Sequence, residues 1–335
     1  MQLQFKKPGP DERSTLRSQL SRLRDPACAQ EMLSSHVPSI SRSAQSTCTL
    51  CSLHPDRFVL RVDLLQKRGL RRSYALKVYA GDSGRKVWDL SQAIRATCTD
   101  ASSLCLPIAY VPSQRLLILP WVDGVPLSCI REPRLFRGLL EDAANLTANI
   151  HRSGIVPEAE TTPQMILEEA MARIERLYKR WPEARETVQP AVTALSQAFE
   201  FLHPSVPALV HGDVAPEHFL WTGTQLVVLD MDMFGYTDPA YDGGHFLAQL
   251  QRLCLSETSL SKHCFQLINS FRSTYQTAAP CVSAGNVSFY HGLTLLRKIY
   301  TVSRLQTPQR PRIASLLSQY AQAAFNELVS WKIKK

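Results

Sequence analysis

Between Val210 and Ala248 the chain reads VHGDVAPEHFLWTGTQLVVLDMDMFGYTDPAYDGGHFLA, a concentration of acids, histidines and glycines set between short apolar runs. His211-Gly212-Asp213 follows Ala208-Leu209-Val210 and runs towards Pro216, which predicts a tight loop holding Asp213 between hydrophobic anchors. A second apolar run, Leu226-Val227-Val228-Leu229, ends at Asp230-Met231-Asp232, so two carboxylates are expected at the mouth of a buried strand. Alternation along that strand would put Asp230 and Asp232 on one face. One loop carboxylate with further carboxylates at a strand end suits phosphoryl transfer. The first orients an attacking hydroxyl and takes its proton, while the others offer hard oxygen ligands to magnesium on nucleotide phosphates.

The order and spacing of these segments also carry a resemblance. HGDVAPEH, then VVLDMD, then GYTDPAYDGG resemble the HGDxxxxN, IDF/IDW and GDPxxDLA motifs of the aminoglycoside phosphotransferases and choline kinases, small-molecule kinases related to the protein kinases. One position departs: where that family carries a metal-binding asparagine, this chain has His218. The resemblance implies an α+β, bilobal protein-kinase-like fold, with a small antiparallel β-rich N-lobe (residues 1–119), a hinge (120–124) and a larger, mostly helical C-lobe (125–335) carrying the catalytic and substrate site. It implies ATP as phosphoryl donor, Mg2+ as the ion and a small-molecule hydroxyl as acceptor. Asp213 would then be the base, His211 the support of its loop, and Asp230, His218 and Asp232 the metal contacts. Imidazole suits manganese better than magnesium, so His218 adds Mn2+ as an alternative ion. A second possibility stays open, a kinase-like scaffold without catalysis that binds nucleotide or a protein partner.

Upstream the pattern is β: Thr47 to Leu53, Phe58 to Val62 after a break at His54-Pro55-Asp56, and Ser73 to Tyr79 after a basic turn that includes Lys67 and Arg68, which predicts an antiparallel hairpin sheet. Lys77 sits in the middle of Ala-Leu-Lys-Val-Tyr, so it either points to water from an edge strand or faces a cleft or a partner. In the resembled family a lysine here grips the α- and β-phosphates of ATP. The loop between the first two strands has no glycine, and Ser52 and Arg57 are its candidate phosphate contacts. Asp89, on a helix expected over residues 85–97, is the candidate partner of Lys77. The run Arg115 to Gly124 resembles the family's hinge, where Leu119, Trp121 and Val122 would line the adenine.

Helical spacing predicts further elements over residues 11–24, 133–152, from Thr162-Pro163 through Trp181, onward to Leu202, and over 259–278, 286–305 and 310–331. Residues 26–47 are polar and serine-rich and receive no assignment. Asp238 before Pro239 reads as a helix cap, Asp242 as a brace for the amides of the Asp213 loop, and His245 as packing.

With 44% hydrophobic residues over 335 positions, the chain can bury a large core. The net charge of +9 is spread over arginines near the start, a cluster around Gly69 and the terminal Lys332, Lys334 and Lys335, without interleaved aromatics, so no nucleic-acid partner is expected. That charge also repels a polycationic acceptor at long range. No apolar run is long enough for a bilayer and the first residues lack a signal-peptide core, so no membrane association and a cytoplasmic location are expected. Nine scattered cysteines read as thiols. Cys48 and Cys51, with His54 nearby, lack the second ligand pair of a zinc site and read as small strand residues.

Overall fold

The computed structural model describes residues 8–38, 40, 45–65, 69–98, 101–304 and 310–333. Lys67, Arg68, Lys334 and Lys335 lie outside them. Two compact units form, one of Gln2–Gly124 with Val227–Asp232, the other of Val125–Leu226 with Met233–Lys335.

In the first unit, helices α1 (Pro10–Leu23) and α2 (Pro26–His36) precede strands β1 (Gln45–Leu53), β2 (Arg57–Leu65) and β3 (Arg71–Tyr79). Helix α3 (Ser83–Thr97) and strands β4 (Ala109–Val111) and β5 (Leu116–Pro120) follow. The sheet runs β1-β2-β3-β5-β4 with every pairing antiparallel. Period-two alternation turns Phe58, Leu60, Val62 and Leu64 of β2 inward, against Leu16 and Leu23 of α1 and Ala29 and Leu33 of α2. Each such side chain contributes roughly 1.5–3 kcal/mol as an upper estimate. The stretch left unassigned in the sequence therefore contains a helix. Asp25 caps it by accepting from the Ala27 amide, and Pro26 occupies its first turn.

Strand β1 is an edge, half-exposed along its length, with a bulge between Leu50 and Ser52. Cys48 is partly buried there and Cys51 is exposed, which places the CxxC across the bulge of an edge strand. Strand β3 is interior: Lys77 lies opposite Val59 of β2 and Leu117 of β5, so the edge-strand reading of this lysine is ruled out.

The second unit begins with β6 (Val125–Pro126) and continues through α4 (Pro133–His151), α5 (Pro163–Arg180) and α6 (Ala184–Phe199). Short strands β7 (Ala208–Val210) and β8 (Phe219–Trp221) come next, β9 (Leu226–Val228) carries the chain into the Val227–Asp232 segment of the first unit, and β10 (Gly235–Thr237) follows, β10 pairing with β7 and β6 with β8. Helices α7 (Ala240–Ser256), α8 (Thr258–Ser261), α9 (Cys264–Ala278), α10 (Ala284–Ser303) and α11 (Arg310–Ile333) complete it. The helix expected over 259–278 is thus two elements.

Helix α10 is buried almost all round from Asn286 to Arg297, and the helices around it pack at close range. A methyl at Gly244 of α7 would lie 2.6 Å from the Val287 carbonyl oxygen and the Tyr290 Cβ of α10. One at Gly243 would lie 2.6 Å from the Tyr275 ring of α9. The paired glycines are what let α7 seat against both helices, and they fix the register of the face that carries Tyr241, His245 and Gln249. No helix among the described residues is long and apolar enough to cross a membrane.

Candidate active site

In the sheet unit the chemistry collects on one face of β3. Lys77 and Tyr79 are two residues apart and share that face, and Arg57 lies directly opposite Tyr79 on β2. The segment following β9 brings in two carboxylates. Its end is pinned where the Cys105 amide donates to the Val228 carbonyl (2.9 Å) and the Val228 amide to the Ser103 carbonyl (2.7 Å). Lys77 Nζ then reaches Asp230 Oδ1 at 2.7 Å and Asp232 Oδ2 at 2.8 Å. Asp232 also accepts from the Tyr79 hydroxyl (2.7 Å) and faces Arg57 Nε at 3.4 Å.

Burial works against the charge of Lys77, and Asp232 and Asp230 outweigh it, holding its pKa above the ordinary value. Burial raises the Asp232 carboxyl against the pull of Lys77, with Asp230 adding to the rise. Tyr79, buried beside Asp232, is pushed well up and stays a hydrogen-bond donor.

Two expectations need correction here. Strand β9 stops at Val228, Asp230 adopts a left-handed conformation (φ 61°) and Met231–Met233 forms a 3-10 turn. The two carboxylates therefore meet at Lys77 through a turn and not through strand alternation, a conformation that aspartate tolerates better than most residues. Asp89 is not the partner of Lys77: it forms an exposed pair with Arg85 one turn away on α3 (2.9 Å).

Of the expected nucleotide contacts, Arg57 is paired with Asp56 (3.0 Å) as well as Asp232. Leu119 sits opposite Ala75 in the sheet. The Trp121 amide donates to the Ser73 carbonyl (3.1 Å), its indole N–H to Asp123 (3.0 Å), and Arg61 lies 4.6 Å over its ring. The Trp121 amide is thus already spent on the sheet, whereas Val122 is a half-buried residue just beyond β5.

In the helical unit the loop after β7 is braced as the sequence suggested. Asp242 accepts from the amides of His211 (2.7 Å) and Gly212 (2.9 Å), and Gly212 takes φ 82°, a region open to glycine at little cost. His151 Nε2 approaches the same carboxylate at 3.1 Å. Burial opposes ionisation of Asp242, but His151 and His211 and the amide bonds prevail and hold its pKa below the usual value. Asp238 accepts from the Ala240 amide at the start of α7 and from the Asn286 amide group.

Inside the loop, the Asp213 amide donates to His211 Nδ1 (3.3 Å), and His218 Nδ1 donates to the Asp213 carbonyl (2.7 Å). These bonds assign the tautomers: His218 keeps its lone pair on Nε2, and His211 carries its proton there. The two rings stack at 5.9 Å. Asp213 itself is partly open, its side chain 39% exposed, and Oδ1 lies 3.1 Å from His245 Nε2. Burial opposes its charge, yet the hydrogen bond from His245, with His218 and Lys298 nearby, holds its carboxyl well below the usual carboxylate range. His245 was expected to be packing; it is instead the direct partner of Asp213. The sequence held one signal for it, since His245 lies one helical turn from the bracing Asp242.

In the sheet unit, Asp230 is a third exposed, whereas Asp232 is enclosed by Lys77, Tyr79 and Arg57. Among the described residues no group of three or more His, Cys, Asp and Glu side chains forms a ready metal cage.

The model of the phosphotransferase enzyme family (APH) matches residues 54–257, a span that includes the Lys77 cluster and the Asp213 loop. The chain belongs to this family. None of the curated proteins matches it in sequence. Among solved structures, it is similar to an aminoglycoside-phosphotransferase-like protein of Ralstonia eutropha JMP134 (TM-score 0.65, 13% identity, 90% of this chain and 97% of that one). It is also similar to the amicoumacin kinase hAmiN in complex with AMP-PNP, Ca2+ and Ami (TM-score 0.59, 13% identity, 82% and 88%). A third is a choline/ethanolamine kinase family protein of Mesorhizobium loti (TM-score 0.54, 15% identity, 90% and 93%). These likenesses give the phosphotransferase its protein-kinase-like fold, with an antiparallel sheet in the N-terminal part and helices in the C-terminal part.

Proposed function

We propose that this small-molecule kinase transfers the γ-phosphate of ATP to a hydroxyl of a small molecule in the cytoplasm. Residues 1–119 form the nucleotide lobe, 120–124 the hinge, and 125–335 the catalytic and substrate lobe. The observation that carries the reading is the Lys77–Asp230 ion pair (2.7 Å), made by two residues far apart in sequence within an interior strand and a strained turn. The amicoumacin kinase, held with AMP-PNP and Ca2+, supports a nucleotide and a divalent ion as the ligands of such a site.

Asp213 Oδ2 orients the acceptor hydroxyl and takes its proton, on a loop held by Asp242 and supported by His211. Lys77 binds phosphate oxygens once nucleotide competes for its carboxylate partners, and Asp232 keeps the ammonium in place through a contact buried from water. Leu119, Val122 and the ring of Trp121 line the base, while Arg57 sits at the phosphate end. Asp230 would hold a divalent ion, which would neutralise phosphate charge when bound; His218 is the candidate second contact for that ion. The chain's own contribution is positioning and electrostatics, which is most of what phosphoryl transfer demands.

The test is release of ADP from ATP with Mg2+ or Mn2+ over a panel of sugars, amino alcohols, hydroxy acids and antibiotics, with Asp213→Ala as control. Acceptor-dependent turnover lost in the variant is the expected result. Nucleotide binding without turnover for any acceptor would instead make the chain a silent binder.

A further inference from the structure

Resting on that reading, we infer that His245 is a positioning residue: as a neutral ring it donates Nε2–H to Asp213 Oδ1 and so leaves Oδ2 as the oxygen presented to the acceptor hydroxyl. The distance is 3.1 Å and the histidine side chain is 5% exposed.

The contacts weigh the two neutral tautomers against each other. Gln249 Nε2 also lies 3.1 Å from His245 Nε2, and Arg252, donating to Gln249 Oε1, turns the Gln249 amino group towards the ring, so this neutral donor and the Asp213 carboxylate compete for one nitrogen. His245 Nδ1 is buried without a hydrogen-bond partner among the described residues. If the ring carried its proton on Nδ1, two lone pairs, on Nε2 and on the Asp213 carboxylate, would face each other at 3.1 Å. An N–H would also be buried without an acceptor, which is the more expensive orphan. With the proton on Nε2, the carboxylate gains a charge-assisted donor, stronger than the bond the neutral Gln249 amino group gives up, and the ring leaves only a bare lone pair in the interior. Burial supports neutrality, pushing the ring down to about 4.

A histidine present only to fill space is hard to reconcile with this environment. Its ring is flanked by Tyr241 (5.7 Å between centroids), whose hydroxyl accepts from Arg297 (2.9 Å), and a leucine or phenylalanine would pack there without an orphaned nitrogen. Tyr241, His245, Gln249 and Arg252 occupy successive turns of one face of α7, where Arg297 holds Tyr241, Asp213 holds His245 and Arg252 holds Gln249, so the imidazole has little freedom to rotate. Arg252, Arg297 and Lys298 are the cations around it and Glu217 the acid beyond Lys298. A neutral donor adds orientation to Asp213 without adding a further charge that would weaken it as a base. The step served is simple in its balance: the acceptor oxygen forms its bond to phosphorus, its proton goes to Asp213 Oδ2, and the bridging bond of ATP breaks to give ADP.

Two measurements on the full chain test this. The first is the imidazole nitrogen spectrum of uniformly labelled protein at pH 7, with the His245 signals identified by their loss in His245→Gln. A neutral ring protonated on Nε2, whose Nε2 shift moves in Asp213→Ala, is expected; a proton on Nδ1 or a doubly protonated ring overturns the inference. The second compares His245→Leu with His245→Gln in ATP turnover with the best acceptor of the panel. Loss of one charge-assisted hydrogen bond predicts a fall in kcat of about ten- to a hundredfold for the leucine variant, at unchanged KM for ATP and with ATP binding intact by calorimetry. Glutamine, a neutral donor of similar reach, should restore most of it. Wild-type kcat in the leucine variant, or equal damage in both variants, overturns the role. Absence of turnover in the wild type sinks the kinase reading and the positioning role with it, while the nitrogen spectrum still reports whether the bond exists.

Discussion

Lowering the pH from 7 to 5 should destabilise the helical unit, and His245 should account for most of the loss. Burial depresses the folded pKa of this ring from 6.5 to about 4, and the hydrogen bond to Asp213 only partly offsets it. In the unfolded chain the ring titrates near its ordinary value, so between about pH 6.5 and 4 the unfolded state binds more protons than the folded one. Stability therefore rises with pH across that window and falls as acid is added. At pH 7 the penalty is near zero. At pH 5 the gap corresponds to about 1.5 pKa units, or roughly 2 kcal/mol at 1.36 kcal/mol per unit. The depressed carboxyls of Asp213, Asp242 and Glu327 act in the same direction, but only where unfolded carboxylates begin to protonate, below about pH 5. The assay is urea unfolding of wild type and His245→Gln at pH 7, 6 and 5, followed by far-ultraviolet circular dichroism. The wild type should lose about 2 kcal/mol over this range and the variant much less. Equal losses in the two proteins would refute a neutral, buried His245.

Asp213→Ala should abolish acceptor-dependent turnover while leaving ATP affinity nearly unchanged by calorimetry, because Asp213 acts on the hydroxyl and not on the nucleotide. Lys77→Ala should weaken ATP binding or turnover by roughly 1.5–3 kcal/mol, the scale of a charge-assisted phosphate bond, and an unchanged affinity and rate would remove it from the site. Asp232→Ala strands the buried hydroxyl of Tyr79, so a loss of about 1–3 kcal/mol in urea unfolding is expected, together with weaker ATP binding as Lys77 loses one of its two carboxylates. His218→Asn should move metal preference in turnover assays from manganese towards magnesium; an unaltered ratio would show that Nε2 does not contact the ion. Gly244→Ala puts a methyl within 2.6 Å of α10 backbone and should cost about 1–3 kcal/mol or more in thermal unfolding, with a wild-type melt arguing that α7 and α10 have room to separate.

Much of the local structure was written in the sequence. Alternating β-branched and aromatic residues mark β2 and β3, a proline at the first turn marks α4 and α5, and His211-Gly212-Asp213 needs a glycine at φ 82° to turn. The bracing role of Asp242 was also legible, because a carboxylate at the start of a helix beside a loop has few other uses. These features depend on residues within a turn or two of one another, and a chain carries such information locally. Partnerships across distance were decided only by the tertiary structure. Lys77 could have faced water, and only the interior place of β3 gives it Asp230 and Asp232 as partners. The Asp230-Met231-Asp232 run looked like the end of a strand, and a left-handed residue turned it into a hook. His245 looked like packing because its place one turn from Asp242 does not say that the Asp213 loop passes within 3.1 Å of its ring. Charge, hydrogen bonding and burial act through space, so which acid meets which base was settled by where strand β3 and the turn at Asp230 lie in the sheet unit and by how closely α7 packs in the helical one.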